Sequence, residues 1–184
     1  MRHAILAGDS WQTVTIGDSS AIPGWTRLLG FPATGTRHVH FAGDTVQQRN
    51  LLGARIDEAV RAADRRVLLV AEGAACLAAA WWARLTPADY VARVRGALLF
   101  APADARAGFA SPAIGLPFPT IVIDEADDAA RLAAEWGARL MPPPRHAHRP
   151  RAGWGTALQL FGRVTQAVVA HDIRTAERLL GQRE

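Results

Sequence analysis

The stretch LLVAEGAACLAAAWW, residues 68–82, constrains the fold more than any other part of this chain. It opens as an apolar run of strand length and closes as an Ala-rich helix. A tight group of small residues, Ala71-Glu72-Gly73-Ala74-Ala75, joins the two. A strand that enters a helix through such a turn has the small-x-nucleophile-x-small form of a nucleophile elbow, whose centre carries Ser, Cys or Asp. Here the centre is Gly73.

The rest of the chain alternates in the same way. The pattern predicts strands at His3–Ala7, Arg37–Phe41, Arg66–Ala71, Gly96–Ala101, Thr120–Asp124 and Arg139–Met141. Helices are expected between them. One spans Thr45–Ala63, with Leu51, Leu52, Ile56, Ala59 and Val60 at helical spacing. Others span Ala74–Leu85 and Asp127–Trp136, the last stopped by Gly137. Thr86-Pro87 reads as an N-cap and first helical position, opening a short helix to Val94. Residues 8–20 read as a Gly/Ser/Asp loop. Shorter helices are expected around Pro23–Leu29, from Trp154 and over Asp172–Leu180.

This alternation argues for an α/β fold, a doubly wound three-layer sandwich with a mostly parallel sheet, as one domain over residues 1–184. Ligands in such folds gather at the carboxyl ends of the strands. Gly8, Gly73, Pro102, Asp124 and the loop of His146 should share that edge.

Composition narrows the function classes. No apolar run is long enough to span a bilayer, and the short N-terminal run ends at Asp9, too early for a signal peptide. A cytoplasmic protein is expected. The single cysteine, Cys76, excludes an intrachain disulfide and a thiolate metal cluster, and reads as a small buried hydrophobe. The net charge of +4 comes from arginine alone, since the chain has no lysine. Those arginines are scattered, with the tightest group at Arg145–Arg151, and this argues against a nucleic-acid surface.

Four segments carry a family resemblance: LLVAEGAACLAAAWWA, VRGALLFAPAD, LPFPTIVIDEADD and RLAAEWGARL. Together they resemble the small serine hydrolases of the retinoblastoma-binding protein nine and YdeN type, compact α/β-hydrolases without a cap domain. The likeness runs from about Ile5 to Phe161. At the elbow the family has valine-alanine-histidine-serine-leucine-glycine-cysteine. This chain has Val70-Ala71-Glu72-Gly73-Ala74-Ala75-Cys76, so the serine falls on Gly73 and the histidine before it on Glu72. The family's acid follows the fifth strand, where Asp124 and Asp127 are the candidates. Its histidine falls in the loop Pro144-Arg145-His146-Ala147-His148-Arg149, which keeps His146 and His148 but not the surrounding motif.

The resemblance therefore implies a hydrolase fold without an intact triad, with degenerate positions at Gly73, Asp124, Asp127, His146 and His148. It implies a non-catalytic binding or interaction protein. Gly8, Asp9, Ser10, Glu72, Gly73 and Ala74 are the expected ligand contacts, and the ligand is a small molecule or a protein partner. No cofactor, metal or membrane contact is expected, and nothing excludes an oligomer.

Two other readings stand beside it. One is an active hydrolase with a displaced constellation, such as Ser10 or Glu72 with Asp124 and His146. Gly8-Asp9-Ser10 resembles the Gly-Asp-Ser block of another esterase group, but that group's C-terminal Asp-x-x-His is absent. Ser10, Ser19 and Ser20 read first as turn formers. The other reading is a small-molecule or anion-binding module, with His146 and His148 among arginines as the anion contact. His38 and His40 flank Val39 with metal-binding spacing but no third ligand, and a half-buried strand face accounts for them. Trp81, Trp82, Trp136 and Trp154 are expected to pack the core or line the pocket; Trp11 and Trp25 are better placed to meet a ligand.

Overall fold

The computed structural model describes residues 12–18, 36–101, 109 and 114–143. The strands are β1 (Gln12–Gly17), β2 (Arg37–His40), β3 (Val67–Glu72), β4 (Val94–Phe100), β5 (Thr120–Ile123) and β6 (Arg139–Met141). The helices are α1 (Val46–Arg61), α2 (Ala74–Leu85), α3 (Ala88–Val91) and α4 (Asp127–Glu135). The strands form a six-stranded sheet in the order β2-β1-β3-β4-β5-β6, and every pairing is parallel.

The central strand β3 explains itself. Val67, Leu68, Leu69 and Val70 are each at most 1% exposed, so both faces of the sheet are covered, as a parallel strand requires. One face carries Val14, Ile16, Val39, Leu69, Ala71, Ala97, Leu99 and Val122 in a single core with residues of α1, α2 and α4. Leu68, Val70, Leu98, Ile121 and Ile123 point the other way and are buried too. The result is the three-layer α/β sandwich of the sequence reading.

Helix ends follow local chemistry. Thr45 and Gln48 form a capping box: Gln48 N–H donates to Thr45 Oγ1 at 3.1 Å, and Thr45 N–H to Gln48 Oε1 at 3.0 Å. α4 closes in a Schellman motif. Gly137 takes φ 61°, Gly137 N–H donates to Ala134 O at 3.2 Å, and Ala138 N–H to Ala133 O at 2.8 Å.

Four expectations need correction. Residues 12–17, expected within a loop, form β1. Thr13-Val14-Thr15-Ile16 is a β-branched run with period two, which outweighs the turn residues on either side. Thr86 does not cap α3. Its N–H donates to Trp82 O at 3.0 Å and closes α2 instead. Leu51 is 50% exposed, outside the core face of α1 that Leu52, Ile56, Ala59 and Val60 form. His38 and His40 are exposed rather than half-buried, because β2 is an edge strand of the sheet among the described residues. The expected strand at 3–7, the helices near 23–29, 154 and 172–180, and Trp11, Trp25 and Trp154 lie outside the described residues.

Candidate functional site

The carboxyl edge of the sheet is laced by backbone hydrogen bonds from strand end to strand end. Gly73 N–H donates to Phe100 O at 2.9 Å, Ala101 N–H to Ile123 O at 3.0 Å, and Asp124 N–H to Met141 O at 3.0 Å. Gly73, Ala101 and Asp124 thus leave β3, β4 and β5 on one edge. Gly73 and Asp124 stand two strands apart, about 10 Å by strand spacing.

Gly73 is the N-cap of α2, with φ 61° and ψ −131°. The strand therefore turns into the helix through positive φ, where glycine is at ease and other residues are strained. A Cβ built on Gly73 would meet no described atom within 4 Å. The elbow is thus formed, and no described residue fills the space a side chain there would use. Glu72, half-buried, ends β3, and Ala74 opens α2. The edge holds a second unusual backbone at Ala101, the one non-glycine with positive φ (42°) among the described residues. That conformation costs about 1–2 kcal/mol.

Asp124 spends one carboxylate oxygen on its own turn. Oδ1 accepts the N–H of Glu125 at 2.7 Å and of Ala126 at 3.2 Å. These bonds hold the start of α4. Asp127 is exposed in the first turn of α4, where its charge complements the helix dipole. It is a helix-end residue, and Asp124 is the carboxylate that sits at the strand terminus.

Cys76 lies one turn into α2 and is fully buried. Its thiol donates to Phe100 O at 3.4 Å. Burial pushes its pKa up, and the nearby carboxylates of Glu72 and Asp124 add to that. The thiolate needed for nucleophilic attack is therefore suppressed. We expect no measurable reaction of native protein with a water-soluble disulfide reagent such as DTNB, and one equivalent after unfolding in guanidinium. Rapid native labelling would contradict this assignment.

An aromatic cluster sits beside the elbow helix. Phe109 packs edge-on against Trp81, with ring centroids 5.6 Å apart, and against Phe41 at 6.0 Å. Gly43 makes room for it, since a Cβ there would meet Phe109 at 2.7 Å. Trp82 and Trp136 are each 1% exposed and belong to the core. Trp81 is half-buried.

Of the residues singled out in the sequence, Glu72, Gly73, Ala74 and Asp124 come to the carboxyl edge. Gly8, Asp9, Ser10, His146 and His148 lie outside the described residues. The strand expected before Gly8, Asp9 and Ser10 also lies outside the described residues. The described strand β1 follows them in sequence and ends at Gly17, where the sequence Gly17-Asp18-Ser19 repeats the Gly-Asp-Ser pattern. The alternation of Thr13-Val14-Thr15-Ile16 is the signal that marks β1. Among the described residues no group of three His, Cys, Asp or Glu could hold a metal ion. No described helix is long and apolar enough to cross a membrane.

The crystal structure of a protein described as a YdeN-like hydrolase, from Pectobacterium atrosepticum SCRI1043, is similar to this fold. The TM-score is 0.60 at 16% identity, over 88% of this chain and 92% of that one. At that identity the likeness concerns the fold alone. No curated protein matches the sequence. The model of the serine hydrolase family matches residues 45–156, more than half of the chain, from the cap of α1 through the elbow and β5 and past β6. This chain belongs to the serine hydrolase family.

Proposed function

We propose that this protein is a non-catalytic member of its family, a ligand- or partner-binding protein of the cytoplasm built as a single domain. One observation carries the reading: the elbow has its strand-to-helix geometry, but its centre is Gly73, with φ 61° and no described atom within 4 Å of where a side chain would project. Without an oxygen or sulfur at that point no acyl-enzyme forms. Losing one member of a triad typically costs several orders of magnitude in rate and leaves only what binding and oxyanion contacts supply.

The neighbouring groups do not replace the nucleophile. Cys76 is buried and protonated, and Asp124 holds its own turn through Oδ1. The ligand contacts of this reading are Glu72, Gly73 and Ala74 at the elbow. Gly8, Asp9 and Ser10 remain part of the proposal through their sequence alone.

Ester turnover tests it. Wild-type protein should hydrolyse p-nitrophenyl acetate and butyrate at the rate of buffer with an equal concentration of an inert protein. Saturable turnover that survives purification to homogeneity would favour the displaced-constellation reading instead.

A further inference from the structure

We draw no further inference here: the strongest candidate, the group of exposed arginines at the amino edge of the sheet where α1 ends and β3 and β4 begin (Arg61, Arg65, Arg66 and Arg93), carries nothing, because Arg93 spends its guanidinium on Arg61 O and Ala63 O at the end of α1, Arg61 lies over the Tyr90 ring, and nothing in the structure shows what covers the rest.

Discussion

Gly73→Ser should return a side chain to the elbow without returning an enzyme. Space is not the obstacle, since nothing described lies within 4 Å of the new Cβ. The backbone is one obstacle. At φ 61° and ψ −131° a serine is strained by about 1–3 kcal/mol, so urea unfolding should show a loss of that size. On the proposed reading the second obstacle is the base. A serine hydroxyl attacks only when a hydrogen-bonded base takes its proton. The proposal holds that the loop of His146 and His148 no longer supplies one, and Asp124 already accepts two backbone N–H groups through Oδ1. The variant should show at most slow single-turnover acylation. Fast multiple turnover by Gly73→Ser would mean that base and acid are still in register, and whole-site degeneration would be wrong.

Trp82→Ala should be among the most destabilising single changes in the described chain. The indole is 1% exposed, and its Nε1–H donates to Asp57 Oδ1 at 2.7 Å, tying α2 to α1. Thr86 Oγ1 also reaches Asp57 Oδ1, at 3.5 Å. Removing a buried tryptophan costs about 3–5 kcal/mol through lost transfer energy and the cavity left behind. That is a large share of a typical stability of about 5–15 kcal/mol. Trp82→Phe separates the two contributions. It keeps most of the ring volume and loses the hydrogen bond, and half-buried Asp57 can rehydrate, so the loss should be nearer 1–2 kcal/mol. Urea denaturation of both variants checks this. Equal losses would mean that the bond to Asp57, not the packing, is what holds the helices together.

The contrast between β3 and β1 explains how much of the fold could be read in advance. β3 is apolar on both faces and ends in small residues before an Ala-rich helix, so Val67–Leu85 was read almost to the residue. α4 was equally clear because Gly137 supplies the positive φ that its C-terminus needs. β1 was missed for a physical reason. Its length is short, and Gly-Asp-Ser flanks it on both sides, at 8–10 and again at 17–19. Turn formers on both sides hid a strand whose only mark is the alternation of Val14 and Ile16 with Thr13 and Thr15.

The elbow itself was visible, because its geometry is encoded locally by small residues around one glycine. Asp124 was visible as a position, but not as a group committed to its own turn. That depends on the backbone N–H groups of Glu125 and Ala126 converging on Oδ1, and an Asp-Glu-Ala-Asp-Asp run does not specify which carboxylate they choose.

The central claim is that no nucleophile stands at the elbow. Intact-mass analysis of wild-type protein after incubation with a fluorophosphonate probe tests it most directly, because the probe needs an activated hydroxyl but no particular substrate. The account predicts an unchanged mass, with a known serine hydrolase labelled in the same tube. A stoichiometric phosphonyl adduct, mapped to any serine of this chain, would contradict it.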